Sequence, residues 1–189
     1  MKSNLIGKKL GIIGGGQLGK MLLAECNKMD ISTYVLDSSE NSPCKSLCEK
    51  FYVGDLNDYE TILSFGKKCD LITFEIEHIN VDALYELEKH GKDVYPKPNT
   101  LDTIQDKNRQ KCFFINNNIP TSKFKFFSSL EELRLSIKNN EISFPCVWKK
   151  TRFGYDGFGV QILKSTDDLL NLPETEMIIE EYIPFDKEI

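Results

Sequence analysis

Between residues 10 and 95 short apolar runs alternate with longer amphipathic ones, and no other property of the chain limits its fold so strongly. Leu10-Gly11-Ile12-Ile13, Ser32 to Leu36, Phe51-Tyr52-Val53, Leu71-Ile72-Thr73-Phe74 and Val94-Tyr95 predict strands. Gln17 to Met29, Tyr59 to Lys68 and Val81 to His90 predict helices between them. Parallel strands need a crossover between them, and an amphipathic helix is the usual one. The pattern therefore predicts an α/β layer, Rossmann-like, with helices on both sides of a parallel sheet.

Pro96 and Pro98 break the alternation, because each lacks a backbone donor and biases its preceding residue away from helix. This places a Rossmann-like domain over residues 1–96. A polar, mostly helical linker follows over 97–120, with a helix from Thr100 to Asn117, Asp102 and Thr103 as its capping candidates, and Pro120 at its end. Over 121–189 the signal changes. Strands are expected at Lys123 to Phe127, Cys146 to Lys149, Val160 to Leu163 and Met177 to Tyr182, with helices at Leu130 to Asn139 and from near Thr166. Paired strands enclosing a loop indicate α+β organisation there. The apolar residues Tyr182-Ile183-Pro184-Phe185 so close to Ile189 suggest a first subdomain that continues in a longer protein.

Gly14-Gly15-Gly16-Gln17-Leu18-Gly19 fits G-x-G-x-x-G between a strand and a helix. Glycines there let backbone N–H groups approach an anion, and the helix N-terminus adds about half a positive charge. Asp37 lies 18 residues beyond Gly19, where a dinucleotide enzyme would hold ribose hydroxyls, so a nicotinamide-dependent oxidoreductase is one reading. A tight turn with no ligand is another. Thr73-Phe74-Glu75-Ile76-Glu77 puts two carboxylates past the fourth strand, on one face if the strand continues.

Trp148-Lys149-Lys150-Thr151-Arg152-Phe153-Gly154-Tyr155-Asp156-Gly157-Phe158-Gly159 sets three cations at a strand end before a glycine-rich turn. This suits a polyphosphate, with fixed charge on the strand and amide groups on the loop, although a plain charged hairpin would look similar. A dehydrogenase has no use for it.

The net charge of −5, from 24 Lys and Arg against 29 Asp and Glu, supplies no bulk positive field toward nucleic acid or an anionic membrane. No apolar run reaches the ~20 residues of a membrane span, and Met1 to Lys9 lacks a signal-peptide core, so a cytoplasmic setting is expected. The six cysteines, Cys26, Cys44, Cys48, Cys69, Cys112 and Cys146, lack zinc-site spacing and read as reduced packing residues.

Taken in order, Gly14 to Gly19, Thr73 to Glu77, Gln105-Asp106-Lys107, Gly154 to Gly159 and Glu180-Glu181-Tyr182-Ile183 resemble the 5-(carboxyamino)imidazole ribonucleotide synthetases. These are ATP-grasp carboxylases of purine biosynthesis. The resemblance runs over nearly the whole chain and implies a pre-ATP-grasp domain followed by the first part of an ATP-grasp domain. It implies ATP-dependent carboxylation: bicarbonate attacks the γ-phosphate of ATP, ADP leaves, and the resulting carboxyphosphate gives its carboxyl group to the exocyclic amine of 5-aminoimidazole ribonucleotide, releasing phosphate.

By the same resemblance, Gly15, Gly16, Gln17 and Leu18 lie near the ribonucleotide's phosphate or ring and Glu75 accepts its ribose hydroxyls. Lys107 and Lys149 contact ATP phosphates. Gly154, Tyr155, Asp156, Gly157 and Gly159 belong to a mobile loop over the triphosphate, with Tyr155 facing the acceptor, so Lys149 and Tyr155 are the expected catalytic residues. Glu180, the backbone of Glu181 and Ile183 hold adenine, and Glu188 the ATP ribose. The family's magnesium ligands, and the basic residues completing the acceptor site, are expected beyond Ile189, so no metal ligand is assigned here. A homodimer is implied for the full-length protein, and the 189 residues alone are expected to be inactive. Phe153 departs from the family, standing where a glycine is usual. A non-catalytic nucleotide-binding module remains a third reading.

Overall fold

The computed structural model describes residues 7–154 and 158–187, which form two compact units dividing between Asp102 and Thr103. In the first unit the order is β1 (Lys9–Ile13), α1 (Gln17–Lys28), β2 (Ser32–Asp37), β3 (Lys50–Val53), α2 (Tyr59–Gly66), β4 (Leu71–Phe74), α3 (Val81–Lys89) and β5 (Asp93–Val94). The five strands are all parallel, in the order β3-β2-β1-β4-β5. Chain order reverses at β1, which pairs with β2 on one side and β4 on the other. The crevice past its C-terminal end is where open α/β sheets bind ligands.

Strand periodicity divides the core. Ile13, Leu36 and Ile72 join Leu63, Phe65, Leu84 and Leu87 from α2 and α3 in one cluster. Ile12 and Val35 point the other way, to Leu23 of α1 and Cys44. Helices thus lie on both faces, as the alternating pattern predicts. Asp58 caps α2 through the Thr61 amide, and Asn80 caps α3 through the Ala83 amide. Gly16 caps α1 without a side chain, so the first-turn amides of that helix face the crevice uncovered by a capping group.

α4 (Pro98–Gln105) contains the boundary between the units. Pro98 opens this helix instead of blocking it, because a missing N–H is harmless in the first turn. The single helix expected from Thr100 to Asn117 is two. Asp102 and Thr103 lie inside α4, while Asp106 caps α5 (Lys107–Asn116) by accepting the Asn108 and Arg109 amides.

The second unit continues with β6 (Phe124–Phe127), α6 (Leu130–Lys138), β7 (Cys146–Lys150), β8 (Val160–Leu163) and β9 (Met177–Glu181). The helix expected near Thr166 is a 3-10 turn, Thr166–Asn171, closed by a reciprocal cap between Ser165 and Asp168. The strands form an antiparallel sheet in the order β6-β9-β7-β8. Cys146, Trp148, Met177 and Ile179 pack with Leu130, Leu133 and Leu169 on one face. Val147, Lys149, Ile178 and Glu180 alternate onto the other.

Cys26, Cys44, Cys69 and Cys146 are buried, and all six thiols are free. Burial pushes Cys44, Cys69 and Cys146 up to about 11. Cys112 is exposed on α5, so it is not a packing residue.

Candidate functional site

At the β1 crevice two carboxylates grip the glycine loop. The Gly15 amide donates to Asp37 Oδ2 at 2.6 Å, and the Gly16 amide donates to Glu75 Oε1 at 3.1 Å. The other Asp37 oxygen accepts the Ser39 amide at 2.7 Å, while the Ser42 hydroxyl donates to the Gly15 carbonyl. A Cβ on Gly15 would stand 2.3 Å from Ser42 Oγ, and one on Gly19 would stand 2.6 Å from the Gly14 carbonyl oxygen. The Gly14 carbonyl is backbone and cannot yield, which is why residue 19 is glycine. Gln17 and Leu18 are exposed at the start of α1, where their amides find no acceptor among the described residues.

These contacts change the meaning of Asp37. Its carboxylate serves the loop, accepting the Gly15 and Ser39 amides, whereas the dinucleotide reading gave it ribose hydroxyls. The two carboxylates past β4 also part company. β4 ends at Phe74, so Glu75 reaches the loop, whereas exposed Glu77 lies 3.6 Å from the ring of His78.

In the second unit the site forms on the sheet face opposite the apolar cluster. Lys149 opposes Ile178 in the β7/β9 ladder, while Glu180 opposes Val147. Lys149 and Glu180 are thus diagonal neighbours, close enough for a long side chain to bridge. Lys149 Nζ donates to Glu180 Oε2 at 3.0 Å, Ser122 Oγ donates to the same oxygen at 2.9 Å, and Lys111 Nζ pairs with Oε1 at 3.2 Å. Burial pushes the Glu180 carboxyl up, but the hydrogen bond and charge of Lys149, the Ser122 hydroxyl and the Lys111 charge outweigh it and hold the group below its ordinary value.

α5 has no buried residue, so polar links hold it. Its Lys107 amide donates to the Thr151 carbonyl at 2.8 Å, and Lys107 Nζ donates to the Gly154 carbonyl at 3.0 Å. Arg152 Nε donates to Asp106 Oδ2 at 3.0 Å. Lys107 and Lys149 therefore stand at the root of the glycine-rich turn, whose far end is tied by the Lys150 amide to the Gly159 carbonyl at 2.9 Å. Phe153 has φ +60°, a left-handed conformation that costs a phenylalanine energy and a glycine nothing. Its exposed ring lies 5.9 Å from Lys150 Nζ.

The Glu181 amide is taken by the Lys123 carbonyl at 3.0 Å. Ile183 is exposed, and its carbonyl accepts the Phe185 amide. Tyr155, Asp156, Gly157 and Glu188, and with them the centre of the expected mobile loop, lie outside the described residues. Sequence reasoning missed Lys111, Ser122 and the Asp106–Arg152 pair. The i, i+4 spacing of Lys107 and Lys111 was the available signal for the first.

A parallel sheet with a glycine loop at its switch point is followed by an antiparallel sheet bearing lysines beside a glycine-rich hairpin, the two parts of a pre-ATP-grasp and ATP-grasp arrangement. Residues 7–105 match the ribonucleotide synthetase preATP-grasp domain, and residues 112–189 match the ATP-grasp domain. The chain belongs to the ribonucleotide synthetase pre-ATP-grasp family.

It is similar to the N5-carboxyaminoimidazole ribonucleotide synthetase of Thermotoga maritima, with 37% identity and a TM-score of 0.81 over 95% of this chain and 47% of that one. The N5-carboxyaminoimidazole synthase of Aspergillus clavatus in complex with ADP and 5-aminoimidazole ribonucleotide is 28% identical, with a TM-score of 0.82 over 95% of this chain and 47% of that one. The chloroplastic phosphoribosylaminoimidazole carboxylase of Vigna aconitifolia is 34% identical over 186 residues, which are 95% of this chain and 33% of that protein. The chain therefore spans between a third and a half of the length of these relatives.

Proposed function

We propose that this chain carries the acceptor-binding residues and one side of the ATP-binding residues of a carboxylase that uses ATP and bicarbonate to carboxylate the amine of 5-aminoimidazole ribonucleotide. The observation that carries the reading is the joint presence of the carboxylate-gripped glycine loop and the Lys149–Glu180 platform beside a glycine-rich hairpin. An oxidoreductase would use the first and leave the second idle.

In this reading the uncovered amides of α1 meet the ribonucleotide's phosphate or ring, and Glu75, already oriented by Gly16, accepts ribose hydroxyls. Lys107 and Lys149 neutralise phosphate oxygens, while Glu180, the backbone of Glu181 and Ile183 hold adenine. Phosphoryl transfer demands positioning and charge neutralisation above all, and these residues supply part of both. Tyr155, Asp156, Gly157 and Glu188 retain the roles that the resemblance assigns them. Among the described residues no cluster of three or more His, Cys, Asp or Glu is placed to hold a metal ion. Magnesium accompanying the nucleotide and a homodimer belong to the same reading on the family resemblance, and a cytoplasmic setting belongs to it on the sequence expectation. Among the described residues no helix is long and apolar enough to cross a membrane.

Calorimetry with each ligand tests the proposal. Lys149→Met removes one charged hydrogen-bond donor, worth ~1.5–3 kcal/mol or roughly ten- to hundredfold in ATP affinity, and should leave the ribonucleotide unaffected. Gly16→Val should do the reverse, because its Cβ would already stand 3.0 Å from Glu75 Oε1. Equal loss of both ligands in both variants, or wild-type ATP affinity in Lys149→Met, overturns the assignment.

A further inference from the structure

Glu180 is one carboxylate shared by two lysines of unequal exposure. Its side chain is 7% exposed, Lys111 is 12% exposed behind it, and Lys149 is 28% exposed on the side of the glycine-rich turn. Lys111 also donates to Thr121 Oγ1 at 2.8 Å and to Ser122 Oγ at 2.5 Å, so its ammonium is fully engaged within the unit. A lysine this enclosed costs desolvation. An apolar residue would fill the space without that cost, so the charge itself requires a role.

Charge counting supplies one. With Glu180 and Lys149 alone the pair is neutral, and a Lys149 ammonium that turned toward a phosphate would leave a buried carboxylate uncompensated, which is strongly unfavourable. With Lys111 present the cluster carries a net positive charge. Lys111 and Ser122 continue to satisfy Glu180 when Lys149 swings away.

We propose that Lys111 is a positioning residue that frees the charge of Lys149 for a polyphosphate. Lys111 acts through Glu180 and does not itself touch the ligand. The proposal rests on Lys149 contacting ATP phosphates, as the functional reading above holds.

Lys111→Gln keeps hydrogen-bonding capacity and removes the charge, and calorimetry on the intact protein with ATP and with adenosine reads the consequence. ATP affinity should fall about tenfold, equivalent to ~1.4 kcal/mol, while adenosine affinity stays at the wild-type level. Adding Glu180→Gln should restore the ratio of ATP to adenosine affinity, because the carboxylate that captures Lys149 is gone. Lys111→Arg, which keeps the charge, should bind ATP as the wild type does.

If Lys111→Gln leaves ATP affinity unchanged while Lys149→Met lowers it, the proposal fails and the ATP site stands. Unchanged affinity in both variants removes the ATP reading itself. Equal losses for ATP and adenosine show that Lys111 only supports the fold, which also overturns the proposal. Should Lys111→Gln not fold, Lys111→Arg decides, since a folded arginine variant with about tenfold weaker ATP binding contradicts a role in charge.

Discussion

Asp106→Ala removes a buried carboxylate that links the start of α5 to the root of the glycine-rich turn. Oδ1 accepts the Asn108 and Arg109 amides at 3.0 and 3.1 Å, and Oδ2 accepts Arg152 Nε at 3.0 Å. Loss of an N-cap costs about 1 kcal/mol. The Arg152 contact adds no more than about 1 kcal/mol, since that side chain is 30% exposed and water screens part of its charge. The second unit should therefore lose about 2 kcal/mol, a large effect for a helix with no buried residue to hold it. Asp106→Asn keeps a cap oxygen but turns a donor toward Arg152, and should cost about half as much. Trp148 is the single tryptophan, 4% exposed within the second unit, so its fluorescence during urea unfolding reports this unit. An alanine variant within about 0.5 kcal/mol of wild type, or an asparagine variant as costly as alanine, would refute the reasoning.

Glu180→Gln should flatten the acid limb of stability. The folded carboxyl lies below its ordinary 4.5, so ionised Glu180 contributes stability above pH 4.5, and this contribution is lost as pH falls through the folded value. Identical acid slopes for wild type and variant, followed by Trp148 fluorescence, would contradict this. Among the thiols, exposed Cys112 should react with an aromatic disulfide reagent in the native state, half-buried Cys48 more slowly, and Cys44, Cys69 and Cys146 only on unfolding. Rapid native labelling at any of the last three would show that their burial is wrong.

The strands and helices of the first unit were legible because their signal is local. Leu71–Phe74 falls where the apolar run places it, and the glycine loop sits between β1 and α1 as its spacing requires. The break at Asp106 was not legible. Residues 100–117 contain no glycine or proline to mark it, and the partner that accompanies the break, Arg152, lies 46 residues away. The two carboxylates near β4 looked equivalent in sequence, until the end of the strand at Phe74 gave only Glu75 a path to the loop.

The same division runs through the chemistry. From sequence alone came the residue types and the strand ends that carry them: glycines before a helix, a lysine leaving β7, a glutamate within β9. Their partners came only from tertiary structure. Asp37 reaches Gly15 across adjacent parallel strands, and Lys149 meets Glu180 through the β7/β9 register, with Lys111 brought over the same face by α5. Periodicity is set by neighbours a few residues apart, whereas the partner of a buried charge is set by which strand lies alongside and in what register. A one-residue slip would turn Glu180 into the apolar core and leave both lysines without it.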